Sequence, residues 1–265
     1  MILKGLFNYR FSVTQKICLA GLFIAIVTIL QKVLAINYIP IIPFLRISLG
    51  GPAIIIFSSI FLGPIYGMAI GAASDILGYF IFDPKNMSFF PQITAIYAVL
   101  GFVSYFVFWV FKNIKNTKIM LVIEGSSFIL ILVGIVLYLF LNANLQLYGT
   151  TYSLELWQKI LIPSLMFVLF ACLFITSILF QRRFMKDSLP MSPVAISFSC
   201  FVIELLVMVA FGTLMKGFAF GFKTYPMILI CQLVVMAVNV PLNSWLIILL
   251  LKVTNRYSNQ EEHSI

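Results

Sequence analysis

Two carboxylates stand where the chain offers them little water: Asp75, inside 63-GPIYGMAIGAASDILGYF-80, and Glu204, in the middle of a later apolar run. An ionised acid at the centre of a membrane helix costs about 2.5 to 3.5 kcal/mol on insertion scales, so each is a candidate for function. Spacing orients the first. Gly63, Gly67, Gly71, Asp75 and Tyr79 recur every four residues and form one row along a helix. Small residues in such a row let a second helix come close, which turns Asp75 toward protein and away from lipid. It reads as a ligand group, or support for one, or as half of a structural pair. Glu204 reads first as a hydrogen-bonding partner of another helix. Gln232, Asn239 and Asn243 are spaced by seven and four, with Pro241 among them to kink the backbone. They share one face as interhelical hydrogen-bonding residues first and pocket residues second.

The segment 80-FIFDPKNMSFFPQITAIY-97 is rich in chemistry for its length. Asp83, Lys85, Asn86, Ser88 and Gln92 stand among Phe89, Phe90 and Tyr97, joined at Pro84 and Pro91. Flat aromatic faces with a few fixed donors and acceptors suit a planar heterocycle. Arg46 can grip a carboxylate through two parallel hydrogen bonds. An interfacial aromatic belt with a snorkelling arginine has much the same composition, so both readings stand. Other chemistries lack their parts. Asp75 is the sole aspartate within a span, so the paired aspartates of an intramembrane protease are missing. The one histidine, His263, lies in the tail, and Cys18, Cys172, Cys200 and Cys231 show no metal-ligand or C-x-x-C spacing. No nucleophile and base are paired, so an enzyme, a metal or a cofactor is not expected. A G-x-x-x-x-G-K-S/T phosphate loop is also missing, which leaves any use of ATP to other chains.

The elements that hold these residues are membrane spans. With 62% apolar and 9% charged residues and a mean hydropathy of +1.11, the chain departs from the composition of soluble globules, about a quarter of which is charged. Apolar runs predict helices near 17–35, 47–62, 64–82, 92–111, 119–141, 159–181, 191–213 and 225–251. The second is short and broken at its start by Gly50, Gly51 and Pro52. Charge supports it as a crossing: with eight spans, Lys4, Arg10, Lys16, Lys112, Lys115, Lys118, Arg182, Arg183, Lys186, Lys252 and Arg256 all fall on one side. The positive-inside rule then puts both termini in the cytoplasm of a cell whose plasma membrane the chain crosses several times. The net charge of +9 reports this topology and no nucleic-acid surface. The expectation is an all-α integral membrane bundle of about eight transmembrane helices in one domain, 1–265, with a polar, frayed tail at 253–265.

The run 46-RISLGGPAIIIFSSIFLGPIYGMAIGAASDILGYF-80, followed by 90-FPQIT-94, resembles the substrate-binding S components of energy-coupling factor (ECF) vitamin transporters, the folate-type members in particular. That family shows L-x-G-P-x-x-G-x-x-x-G-x-x-x-D-x-x-G-Y and then F-P-G-F-T. The final 236-MAVNVPLNSWLIILLLK-252 is similar, more loosely, to its proline-containing last helix. The resemblance implies a membrane protein that captures a vitamin, folate or a related pterin, from outside. Release inward would follow when a transmembrane coupling subunit and two ATPase subunits act on it. By chemistry and position, the site for that ligand would be built from Arg46, Asp75, Tyr79, Asp83, Lys85, Asn86, Phe89, Phe90, Gln92, Thr94 and Tyr97. Docking on the coupling subunit would use the A-x-x-x-A pattern of the first helix, here Gly21 and Ala25.

Two departures qualify the likeness. The family has six helices, so the core here is 1–118 and 182–252 with an extra helical hairpin inserted near 119–181. Gln92 stands where folate-type members usually carry glycine, an amide that reshapes the pocket and leaves other vitamins, such as riboflavin, thiamine or a pantothenate-like compound, open. A secondary transporter or a channel remains the alternative from another class; a polar lane through the membrane or paired inverted repeats would mark it.

Overall fold

The computed structural model describes residues 6, 11–34, 50–82, 89–114, 116–142, 144–147, 150–153, 155–184, 190–221 and 225–262. Among them are α1 (Val13–Lys32), α2 (Gly51–Leu62), α3 (Pro64–Phe82), α4 (Pro91–Phe111), α5 (Thr117–Leu141), α6 (Leu156–Phe184), α7 (Pro193–Ile203), α8 (Gly212–Phe220) and α9 (Tyr225–Glu262). A π-helical segment, Glu204–Phe211, joins α7 to α8 in one continuous span. A small antiparallel hairpin, β1 (Asn144–Leu147) and β2 (Thr150–Ser153), occupies part of the connection expected as a loop between α5 and α6. Among the described residues seven spans are long and apolar enough to cross a membrane: α1, α3, α4, α5, α6, the run Pro193–Phe220, and α9. The chain is a multi-pass membrane bundle whose spans are all α-helical but for the π-helical segment.

Local signals explain the boundaries. Ser12 and Gln15 form a reciprocal capping box at the start of α1, and Asn116 and Ser192 cap α5 and α7 through their side chains. Pro91 and Pro193 open α4 and α7, where a missing N–H costs nothing. Leu130 and Val122 of α5, and Phe167 and Val168 of α6, are among the large apolar side chains left exposed, as lipid-facing surfaces require.

α2 is the exception in length. Its 12 residues span about 18 Å at 1.5 Å per residue, short of the roughly 30 Å hydrocarbon core. Gly50 at φ 79° and Gly63 at φ 111° bound it, conformations that favour glycine at both ends. All of its residues are buried, enclosed by α1, α3, α4 and α9.

Contacts at the ends fix the directions of the first four helices. Phe11 meets Phe61 with ring centroids 5.0 Å apart, Leu6 N donates to Ile60 O at 2.7 Å, and Lys112 Nζ donates to Leu6 O at 3.1 Å. This proximal end therefore holds the start of α1 and the ends of α2 and α4. α3 and α4 run antiparallel in the most extensive helix contact of the bundle. Their glycines allow it: a Cβ on Gly67 would lie 2.8 Å from the carbonyl oxygen of Gly101, and one on Gly71 would sit inside the carbonyl of Tyr97.

α5 and α6 pack on each other and on α7, and α6 also packs on α9. Gln181 donates to Thr117 at 3.3 Å between their proximal ends, and Phe128 stacks on Phe170. The last helix continues to Glu262. The tail predicted to fray from 253 is helical to that point, because no glycine or proline interrupts 253-VTNRYSNQEE-262.

Candidate functional site

The distal half of the α3 and α4 pair brings the motif residues together. Asp75 lies seven residues before the end of α3, about 10 Å along the axis, and is 7% exposed. Its Oδ2 accepts a hydrogen bond from Thr94 Oγ1 at 2.6 Å. The close approach at Gly71 places Thr94, one turn before Tyr97 on α4, within reach of the acid. A hydroxyl can donate to a carboxylate oxygen, so Thr94 fixes the orientation of the acid.

Aromatic rings cluster above this pair. Tyr79 and Phe89 have centroids 5.2 Å apart, Phe80 stacks on Phe89 at 6.3 Å, and Phe90 meets Phe220 of α8 at 4.8 Å. Gln92, at the first turn of α4, has a buried Oε1 that accepts no hydrogen bond among the described residues. Tyr97 is half-buried one turn below Thr94. Asp75, Tyr79, Phe89, Phe90, Gln92, Thr94 and Tyr97 thus share one end of the bundle. Arg46, Asp83, Lys85 and Asn86 lie outside the described residues.

Three further residues belong to this end. The aliphatic stem of Lys32 lies against Gly78, so close that a Cβ there would be 2.7 Å from Lys32 Cε. Gln31, 4% exposed, precedes it on α1. Phe220 reaches Phe90 from α8. A glutamine and a lysine in the last turn of an otherwise apolar helix were the available signal for the first two; Phe220 had none. What the assembly offers is a hydrogen-bonded acid, aromatic faces, an amide and a lysine at one end of the bundle.

A second polar set lies deeper, between α7, the π-helical segment and α9. Asn243 Nδ2 donates to Glu204 Oε1 at 3.0 Å, and Asn239 is a hydrogen-bonding neighbour of the same carboxylate. Ser197 of α7 donates to Glu124 of α5 at 3.0 Å, an acid that the sequence reading did not single out. Trp245 Nε1 donates to Thr176 Oγ1 of α6 at 2.9 Å. The expected role of Glu204, Asn239 and Asn243 in joining helices is what these contacts show.

Gly21 and Ala25 face outward on α1. Nothing lies within 4 Å of a Cβ placed on Gly21, and Ala25 is exposed beside Ile17 and Ile29. Internal packing therefore does not account for this small-residue pair. No three metal-ligating side chains cluster among the described residues. Comparison with protein-family models, curated proteins and solved structures finds no match to this chain.

Proposed function

We propose that the chain is the substrate-capture subunit of an ECF-type importer, a membrane receptor that binds a vitamin, folate or a related pterin, at the distal end of the bundle. One observation carries the reading: at one end of α3 and α4, Thr94 donates to the buried acid Asp75, with the rings of Tyr79 and Phe89, the rings of Phe90 and Phe220, Gln92 and Tyr97 at the same end. In this reading the distal end is the outer face, and Phe89, Phe90 and Tyr97 stack on a planar ring. Asp75 and Gln92 meet its polar edge, and Lys32, with Arg46 or Lys85, meets an acidic tail. Gly21 and Ala25 supply the surface for the coupling subunit, whose two ATPase partners provide the energy; the uncovered face of α1 supports that role.

Mass spectrometry of small molecules that co-purify with the detergent-solubilised chain tests the proposal. A pterin is the expected result. A different vitamin would keep the capture role and change the ligand, whereas no tightly held heterocycle would remove the role. A second reading, a secondary transporter, is favoured by the buried polar set at Glu204, Asn239, Asn243, Thr213 and Gln232. Reconstituted uptake without ATPase partners would select it.

A further inference from the structure

The capture reading makes no use of the deeper acid. Glu204 is 1% exposed and Asn243 is fully buried. Their one hydrogen bond, Asn243 Nδ2 to Glu204 Oε1 at 3.0 Å, leaves an oxygen on each side of the pair. Glu204 Oε2 and Asn243 Oδ1 are both buried without a hydrogen-bond partner among the described residues. An ionised carboxylate and an amide carbonyl only accept, so two bare acceptors on one pair lack something positive. A single hydrogen meets the need of both. Placed on Oε2, it would turn that oxygen from an acceptor into a donor, with the carboxamide of Asn243 beside it to accept. A hard metal cation is a poorer fit, since such ions gather about six oxygen ligands and two bare oxygens do not make that cage.

We propose that Glu204 and Asn243 form a proton-binding site inside the membrane, and that the π-helical segment beginning at Glu204 changes conformation when the proton leaves. The inference rests on neither reading of the transported solute. Loss of the proton would leave a charge where almost no solvent reaches, and the segment next to it is the one with slack. A π-helix closes wider turns than an α-helix, is seldom retained without a use, and turns everything beyond it when it tightens. What lies beyond is α8: Thr213, whose buried Oγ1 has no hydrogen-bond partner among the described residues, then Lys216, then Phe220 against Phe90. Release of the proton would therefore be felt at the distal rings.

The groups that face Glu204 set the direction of the response. From α9 come Asn239 and Asn243, and from α8 comes Lys216, which interacts electrostatically with the carboxylate. Lys216 thus becomes the countercharge once the proton is gone. Cys200 lies one turn earlier on α7 and interacts with Ser244 of α9 and electrostatically with Glu204 and with Glu124 of α5. Cys231 of α9 interacts electrostatically with Lys216. α4, which packs on the same segment, contributes no group acting on the carboxylate among the described residues.

Glu204→Gln tests the site, because a glutamine carries the acid's donor and acceptor pattern without its titration. The purified full chain is compared with this variant by infrared difference spectroscopy at neutral pH, by thermal melting across pH, and by backbone hydrogen exchange corrected for intrinsic rates. The parent should show a protonated-carboxyl C=O band, shifted in deuterium oxide, that the variant lacks; Glu124 and Asp75 are common to both and cancel. The variant should melt at or above the parent's temperature at neutral pH. Raising the pH should lower the parent's more steeply than the variant's, since Glu204 is the one titrating group the variant lacks. Exchange in 204–220 should rise with pH in the parent alone. An unchanged carboxyl band, a variant that fails to fold, or matching pH profiles would each overturn the proposal. So would a saturable stabilisation of the parent by sodium over choline that the variant loses, which would make the occupant a metal cation.

Discussion

Thr94 makes the role of Asp75 testable, because it is the acid's hydroxyl donor and adds little else. Thr94→Val keeps the shape and removes the hydrogen bond, and bonds to charged groups are worth about 1.5 to 3 kcal/mol. The expected outcome is about a tenfold to hundredfold loss of affinity for the co-purifying compound, measured by isothermal titration, with Asp75→Asn at least as damaging. Unchanged affinity in both variants would take the acid out of the site. Ser197→Ala probes the other end of the polar scale. It strips Glu124, 1% exposed, of the Ser197 hydroxyl that donates to it, and should cost about 1 to 3 kcal/mol of stability, read as a lower melting temperature with ligand binding unchanged. Asp75 was legible from sequence because a charge in an apolar run is rare and the four-residue spacing said which way it faced. Thr94 was legible as a site residue from 90-FPQIT-94, but its hydrogen bond to Asp75 was not, since a threonine near a helix start has many ordinary uses. Glu124 drew no notice for a similar reason: in 117-TKIMLVIEGSSFIL-130 it stands near a charged end, where an acid looks solvated.

For the elements, the α3 and α4 contact is the feature that positions the site, and glycine is what permits it. A Cβ at Gly71 meets backbone, the Tyr97 carbonyl, which cannot swing aside as a flexible side chain would. Gly71→Ala should therefore push the helices apart and cost about 1 to 3 kcal/mol, with ligand affinity falling as Thr94 moves away from Asp75. Gly134→Ala on α5 is the control: nothing lies within 4 Å of the added carbon, and helix propensity alone favours alanine by up to about 1 kcal/mol. Melting temperatures of the two variants should shift in opposite directions; equal shifts would show that the close approach is not what matters at Gly71. The row Gly67, Gly71, Asp75 was readable in advance because it needs only the helical period. The π-helical segment was not, since 204-ELLVMVAF-211 has the composition of any apolar helix and its wider turns answer to tertiary packing.

The whole bundle was legible in outline. Hydrophobic runs gave α3 its bounds and placed the other long spans to within a few residues at most ends, because lipid imposes a length that composition must meet. The helical course of 253–262 and the hairpin at 144–153 were missed where that constraint ends and polar residues fold by local preference. The outward face of α1 yields a prediction on this scale. Gly21→Leu with Ala25→Leu should abolish co-purification with a coupling subunit while leaving ligand affinity unchanged, as nothing internal touches Gly21; retained co-purification would assign that face to lipid. α2, finally, bears on how the protein is made. A helix of 12 residues with no surface left for lipid is too short for the insertion machinery to retain on hydrophobicity alone. Its place in the membrane is conferred by α1, α3, α4 and α9, so it must wait beside the nascent bundle until α9, the last of them to be synthesised, closes around it.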